Sequence, residues 1–140
     1  MIETQRVETS NSKILNKGLD NLIESFSSSA LDKLVADDRN YLFLALSEGI
    51  AAGYVLAYTF PSLNSSGKLA YLYDIEVLET QRKKGIGRQL IEKLLLTLKA
   101  DGVTELWLGT AIDNVAGQAL FYSTGAEKSG ETFNDYTYIL

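Results

Sequence analysis

The sequence has 140 residues, of which 46% are hydrophobic and one is Pro, and this length and composition predict a single folded domain over residues 1–140. It contains no Cys and no His, which excludes disulfides, the usual zinc ligands and Cys or Ser–His nucleophilic catalysis, so no metal is expected. The net charge of −5 and a pI near 4.7 disfavour nucleic acid as a partner and favour cationic ligands.

The N-terminal segment predicts one strand and two helices. Residues 5–9 form the strand, Ser12 is the expected cap of the first helix, and residues 29–35 form a second, short helix. The apolar positions of the first helix recur at helical spacing, at Ile14, Leu15, Leu19, Leu22, Ile23 and Phe26.

A hairpin follows the helices. Strands are predicted at residues 41–46 and 51–60, joined by the turn Ser47-Glu48-Gly49. Pro61 and the run Asn64-Ser65-Ser66-Gly67 then predict a loop that leads to a further antiparallel strand.

The middle of the chain predicts a strand–helix–strand unit. Its strands cover residues 69–78 and 103–109, and its helix covers residues 85–100. Two strands connected through a helix should be parallel, with a right-handed crossover. The helix has one apolar face, formed by Leu90, Ile91, Leu94, Leu95 and Leu98.

The C-terminal segment predicts a helix at residues 114–122 and a last strand at residues 132–140. Tyr136 and Tyr138 alternate on that strand and are expected to serve as core and cleft wall. The elements together predict a mixed α+β fold, antiparallel at its start and parallel in its middle.

The stretch QRKKGIGRQL, residues 81–90, concentrates positive charge between a strand and a helix. Free amides and the positive dipole end at a helix N-terminus favour an anion, and two glycines let the backbone come close to it. The residues concerned are Arg82, Lys83, Lys84, Gly85, Ile86, Gly87 and Arg88. A phosphate is the expected ligand, and a merely solvated helix turn is the alternative.

Two phosphate-binding motifs do not fit this stretch. A nucleoside-triphosphate loop requires Lys-Ser or Lys-Thr after its last glycine, whereas Gly87 is followed by Arg88 and Gln89. A dinucleotide fold requires a third glycine where Leu90 stands.

The run Arg82-Lys83-Lys84-Gly85-Ile86-Gly87 resembles the R/Q-x-x-G-x-G/A motif of the GCN5-related N-acetyltransferases (GNAT). Asn114 and Gly125 match the spacing around that family's late helix, and the order of elements is similar along the whole chain. The segment Tyr71–Val77 looks most like the aminoglycoside 3-N-acetyltransferases of that family.

The resemblance implies the GNAT fold, a mostly antiparallel central sheet with helices on both faces. It implies acetyl-CoA as acetyl donor, with its pyrophosphate on the amides of residues 82–87 and its pantetheine arm along the strand that ends Ile75-Glu76-Val77. Arg88 and Asn114 complete the expected cofactor-binding set. Because Cys and His are missing, acetyl transfer should be direct.

Two carboxylates are the candidates for proton acceptor. Strand alternation puts Asp74 and Glu76 on one face and Tyr73, Ile75 and Val77 on the other. Asp74 matches an acidic residue of the similar aminoglycoside enzymes and ranks first, Glu76 ranks second, and an ordinary solvated strand face is the alternative. The Val77 amide is the expected polariser of the thioester carbonyl.

The general acid is less well defined. The family has a Tyr four residues before the glycine that ends the late helix, and here that position is Phe121, with Tyr122 next. Either a shifted helix brings Tyr122 to the sulfur of CoA, or the CoA thiolate leaves without being protonated by a protein side chain. A half-buried packing role for Tyr122 is the alternative.

Three functions are compatible with the sequence: an N-acetyltransferase for a small cationic amine such as an aminoglycoside-like compound, a protein or peptide N-acetyltransferase, and a CoA-binding module without turnover. The choice of acceptor amine should be determined mainly by residues 12–38 and 61–68. We expect no membrane segment, a cytoplasmic location, and compatibility with a homodimer.

Overall fold

A computed structural model of the protein describes residues 1–63 and 67–140. Its strands are β1 Ile2–Arg6, β2 Asn40–Ser47, β3 Ile50–Pro61, β4 Lys68–Val77 and β5 Val103–Trp107. Its helices are α1 Ser12–Leu22, α2 Ser28–Val35, α3 Ile86–Ala100 and α4 Val115–Ser123, with a 3-10 turn at Glu79–Gln81. Part of the predicted loop, residues 64–66, lies outside the described residues.

The strands form one sheet in the order β1-β2-β3-β4-β5. The first four strands are antiparallel neighbours, and β4 and β5 are parallel through α3, which confirms the predicted strand–helix–strand unit. The hairpin turn is also as predicted, because Glu48 and Gly49 both have positive φ, at 50° and 79°. Consecutive positive φ values match the twist of a tight hairpin.

The sheet carries an apolar core on each face. On one face, α3 places Leu90 and Leu94 against Phe43 and Val55. On the other face, α1 and α2 contribute to a second cluster, which includes Leu19 of α1 and Tyr54 of β3. This sheet with helices on both faces confirms the predicted α+β class.

The first strand and first helix differ in detail from the prediction. β1 begins at Ile2 rather than at residue 5, because its register with β2 pairs Ile2 with Ser47. The N-cap position of α1 is Asn11, and Ser12 is the first helical residue and buried. Ile14, predicted on the apolar face, is 82% exposed.

The predicted last strand is wrong. Residues 132–140, called the C-terminal tail from here on, contain no regular secondary structure and make no backbone hydrogen bond to any other residue that the structure describes. A strand exists only when a neighbouring strand accepts its backbone groups, and the tail does not pair with β5. Tyr136 and Tyr138 are consequently exposed and form neither core nor cleft wall.

Within residues 1–63 and 67–140, no helix has the length and apolar character that crossing a bilayer requires. No group of acidic side chains there is arranged to hold a metal ion.

Candidate active site

The candidate site lies along the last part of β4, where the strand has a neighbouring strand on one side only. β5 pairs with β4 only as far as Tyr71, opposite Trp107. β4 continues to Val77, so its last six residues keep β3 on one side and no strand on the other among the residues that the structure describes. The backbone groups on that open edge can pair with an extended ligand.

A β-bulge at Tyr73 orients the side chains along this edge. Leu56 of β3 pairs with Asp74 while Ala57 pairs with Leu72, which leaves Tyr73 as the extra residue. The bulge resets the alternation of β4, so Leu72 and Ile75 both contribute to the core on the α3 side. Tyr73 therefore does not share that core, contrary to the prediction from strict alternation.

The predicted acids do lie together. Asp74 and Glu76 line the same cavity, which has a volume of about 500 Å³. Glu24 and Glu79 add two more carboxylates, and Arg82 is the one cation among the lining residues. Apolar side chains complete the lining, from Leu22, Ile23, Val77 and Leu78. A cavity with this excess of negative charge attracts a cationic ligand.

Tyr54 joins this cavity from β3. Its hydroxyl donates a hydrogen bond to Oδ2 of Asp74, while its ring is buried, with 6% of the residue exposed. Burial, followed by the hydrogen bond and charge of Asp74, raises the pKa of Tyr54. The hydroxyl thus stays protonated and acts as a donor to the carboxylate.

Sequence reasoning missed Tyr54. A usable signal existed, since a tyrosine inside the apolar strand β3 needs a partner for its hydroxyl. The partner itself lies 20 residues away in the sequence, and only the strand register identifies it.

The loop before α3 presents a row of free amides. Gly85 is the N-cap and has a left-handed backbone with φ of 81°, and Lys83 also has a positive φ of 64°. Within the described residues, no acceptor binds the backbone amides of residues 83–88. These amides lie at the N-terminus of a 15-residue helix, which is the backbone geometry that favours an anion, and anion binding there stays a prediction.

Three basic side chains of this stretch make hydrogen bonds within the protein. Arg82 donates from Nε to the carbonyl of Val77 at 3.2 Å, which ties the loop to the end of β4. Lys84 donates to Gln81 at 3.1 Å. Arg88 instead binds Glu92 and the carbonyl of Ser123, both at 2.8 Å. Arg88 therefore joins α3 to the end of α4.

The two glycines are needed for different reasons. A Cβ on Gly85 would meet open space, so this position needs glycine for its positive φ. A Cβ on Gly87 would lie 3.0 Å from a methyl carbon of Leu120 in α4. Close packing of α4 accounts for Gly87 without a ligand.

Asn114 and Tyr122 lie at opposite ends of α4. The Asn114 side chain caps the helix by accepting from the amide of Gly117 at 3.0 Å, and it donates to Thr110 at 2.8 Å. Tyr122 is 62% exposed. It follows Leu120, which faces α3, by two residues, or about 200° around the helix.

Comparison with known proteins identifies the class of this fold and site. Residues 12–126 match the sequence model described as the acetyltransferase (GNAT) family. The chain belongs to the GNAT acetyltransferase family, which confirms the family predicted from residues 82–87.

Curated relatives match part of the chain. The N-acetyltransferase family 8 member 3 of Mus musculus is 30% identical over 97 residues, 69% of this chain and 42% of its own length. The [ribosomal protein bS18]-alanine N-acetyltransferase of Escherichia coli K12 is 36% identical over 67 residues, 48% of this chain and 45% of its own. The chain thus spans less than half the length of these relatives.

Solved structures share the fold along nearly the whole chain. An aminoglycoside acetyltransferase from an uncultured soil metagenomic sample, in complex with sisomicin, superposes with a TM-score of 0.85 at 23% identity, covering 99% of this chain and 96% of that one. The enzyme AAC(6')-Iy, in complex with the bisubstrate analog CoA-S-monomethyl-acetylneamine, gives 0.79 at 18%, covering 99% of both chains.

Proposed function

We propose that this chain is an acetyl-CoA-dependent N-acetyltransferase that moves an acetyl group directly to a primary amine of a small cationic molecule. One observation carries the proposal: an acid-lined cavity at Asp74 and Glu76 opens beside the unpaired edge of β4, next to the free amides of residues 83–88. This arrangement offers a place for an anionic donor and a cationic acceptor on the same strand.

The donor side consists of the loop and the open edge. The amides of residues 83–88, with Arg82, Lys83 and Lys84, would hold the pyrophosphate, and the backbone of residues 75–77 would pair with the pantetheine arm. Asn114 and Arg88 would act through α4, since the first caps that helix and the second binds its last turn. Their contribution is to place α4 beside the cofactor.

The acceptor side relies on Asp74. The bound ammonium gives a proton to Asp74, directly or through water, and the neutral nitrogen attacks the thioester carbonyl carbon. The Val77 amide would stabilise the oxygen as it becomes negative. The carbon–sulfur bond then breaks, and the thiolate takes up the proton that the nitrogen loses. Glu76 shares the cavity and is the second candidate for the base.

The orientation of α4 bears on whether Tyr122 protonates the CoA thiolate. Leu120 contacts the loop side, and Tyr122 is turned away from it by about 200°. This geometry argues against Tyr122 as the general acid. It favours a thiolate that leaves without taking a proton from any hydroxyl of α4.

Steady-state kinetics test the proposal. CoA thiol release is measured with a panel of polyamines, aminosugars and monoamines, at several concentrations of both substrates. We expect turnover with multiply charged small amines and intersecting double-reciprocal plots. Parallel plots, or a labelled acetyl-protein isolated after incubation with acetyl-CoA alone, would contradict direct transfer.

A protein or peptide acceptor is the second candidate, favoured by the similarity to a ribosomal protein alanine acetyltransferase. Peptides with a free N-terminal alanine belong in the same panel. Preference for such peptides over polyamines would replace the first candidate with the second. If acetyl-CoA binds in calorimetry and no amine or peptide is acetylated, the chain is a CoA-binding module.

A further inference from the structure

The sheet face that carries Asp74 continues beyond the cavity toward β5. Asp74 lies opposite Leu56 of β3, and Tyr71, three residues earlier on β4, lies opposite Tyr58. Residues that pair across two strands point to the same face of the sheet, and Leu56 and Tyr58 share a face because they are two residues apart. The bulge at Tyr73 brings both Tyr71 and Asp74 to this face. The cavity and this part of β4 therefore form one continuous surface.

Five aromatic side chains lie on that continuation, and we call them the aromatic surface. They are Tyr58, Phe60, Tyr71, Tyr73 and Trp107. The ring centroid of Trp107 lies 5.3 Å from that of Tyr71 and 5.7 Å from that of Phe60. The rings of Tyr58 and Tyr73 meet edge to face, with their centroids 5.7 Å apart. The aromatic surface thus spans β3, β4 and β5.

The aromatic surface is open to solvent. Tyr73 is 63% exposed, Trp107 is 44% exposed and Phe60 is 40% exposed. On this face of the sheet, α1 packs mainly against β3 and α2 mainly against β2. Contiguous exposed apolar side chains are uncommon on soluble monomers and mark a binding surface. A ligand seated in the cavity can therefore extend onto these rings.

The surroundings of the aromatic surface favour a cation. Asp74 and Glu76 lie at its cavity end. Glu105 precedes Trp107 by two residues on β5 and therefore points to the same face of the sheet. The faces of aromatic rings are electrostatically negative and attract an ammonium group within about 6 Å, most strongly at Trp. The carboxylates and the rings together select a positively charged occupant over a neutral or anionic one.

We propose that the aromatic surface binds a second positively charged group of the acceptor, while the amine to be acetylated lies at Asp74. This inference rests on the proposed function, which places the reacting amine at Asp74. Tyr71, which pairs with Trp107, lies three residues before Asp74 on β4, and at about 3.3 Å per residue the separation is roughly 10 Å. The acceptor class is therefore an extended amine with two cationic groups at about this separation.

Fluorescence titration tests the binding without any turnover. Trp107 is the only Trp in the sequence, so its emission reports directly on the aromatic surface. The probe is α,ω-diaminooctane, whose two nitrogens span the required separation when the chain is extended. Octylamine replaces its far ammonium with a methyl group, aminooctanoic acid replaces it with a carboxylate, and diaminopropane brings the two ammonium groups close together.

We expect a saturable change in Trp107 emission with diaminooctane. Its affinity should exceed that of each comparison amine about fivefold, the factor that corresponds to about 1 kcal/mol of cation–π attraction at an exposed site. Equal affinity for octylamine, or no change in Trp107 emission with diaminooctane, would overturn the proposal.

Substitutions separate the effect of charge from that of apolar contact. Trp107→Leu keeps an apolar side chain and removes the ring, so it should raise the KM for diaminooctane about fivefold and leave the KM for octylamine unchanged. Trp107→Phe keeps a ring and should retain most of the preference for diaminooctane. Phe60→Leu leaves the fluorophore in place and should weaken diaminooctane binding in the titration. Equal effects of Trp107→Leu on both amines would indicate an apolar contact and overturn the proposal.

Tyr136→Leu is the matched control, because it removes an aromatic ring that is 88% exposed in the C-terminal tail, and it should change neither KM. The outcomes also separate this inference from the proposed function. If diaminooctane changes Trp107 emission but is not acetylated, the aromatic surface binds a cation and the proposed function is wrong. If amines are acetylated without any preference for a distant second charge, the proposed function holds and this inference is wrong.

Discussion

Tyr54 donates its hydroxyl hydrogen to the carboxylate of Asp74 across β3 and β4. In the register of these strands Tyr54 lies opposite Glu76, so Asp74 is its diagonal neighbour. Diagonal pairs are within reach of long aromatic side chains. The contact holds the carboxylate that we propose as the base in one orientation at the cavity.

Tyr54→Phe should lower turnover about tenfold and leave the KM for acetyl-CoA unchanged, because it frees the Asp74 carboxylate without touching the α3 loop. A hydrogen bond to a charged group is worth about 1.5–3 kcal/mol, and part of this should appear as a lower unfolding free energy. Tyr58→Phe is the matched control, since its ring contacts Tyr73 rather than Asp74. Equal losses of turnover in both variants would remove Tyr54 from the site.

Asp74→Asn should reduce turnover by about 10²–10⁴, the usual range for loss of a general base, while acetyl-CoA binding stays intact. The deficit should shrink as pH rises, because more of the amine then arrives neutral. Initial rates between pH 6 and 10 measure this. Glu76→Gln is the comparison, and the larger deficit identifies the base. If both variants keep most of their activity at every pH, neither carboxylate is the base.

Gly85→Ala should raise the KM for acetyl-CoA and leave the fold largely intact. A side chain at φ of 81° costs about 1–2 kcal/mol, so the loop relaxes and its amides lose their common direction. Lys83→Gly is the control, since it relieves a positive φ and keeps every amide. We expect Lys83→Gly to bind acetyl-CoA more tightly than Gly85→Ala in calorimetry. The reverse order would indicate that charge rather than amide geometry binds the donor.

Tyr122→Phe should retain turnover, because Tyr122 leaves α4 about 200° around the helix from Leu120, which faces α3. Phe121→Tyr, which places a hydroxyl at the position used in the family, should increase the rate when acceptors of low basicity make thiolate departure limiting. Both are measured as kcat with saturating acetyl-CoA. A loss of two or more orders of magnitude in Tyr122→Phe would assign the general acid to Tyr122.

Tyr41 should make stability fall at alkaline pH. Burial and a 2.7 Å hydrogen bond to Asp101 raise the pKa of Tyr41 to about 12, above the unfolded value near 10. A raised pKa means that the folded state holds the proton more tightly, so its contribution is full below pH 10 and is lost as pH rises toward 12. Urea unfolding between pH 8 and 11 should show a shallower decline for Tyr41→Phe. An unchanged slope would contradict this.

The sequence by itself determined the features that depend on local periodicity and turn chemistry. The apolar face of α3, the Glu48–Gly49 turn and the glycine-bearing loop before α3 each have a signal within a few residues of sequence. The turn and the loop are found as predicted, and so is the face of α3 except for Leu95, which is 36% exposed. The family followed from the same short motif, because its amides and helix dipole act within a single turn.

Only the tertiary structure decided what depends on register between distant segments. The bulge at Tyr73 shows in the sequence only as a three-residue step between Leu72 and Ile75, and strict alternation missed it. The contact of Arg88 with the carbonyl of Ser123, 35 residues further on, likewise depends on how α4 packs against α3 and has no local signal in the sequence. Tyr54 was overlooked for the same reason.

The tail shows the limit of local patterns most clearly. Its alternation of apolar residues predicts a strand, because alternate side chains would lie on one face and could be buried there. A strand also needs an edge to pair with, and the edge is supplied by whichever segment lies beside it in three dimensions. Strand propensity is encoded within the segment, whereas strand pairing depends on the arrangement of the whole fold. In this fold residues 132–140 are not paired with β5.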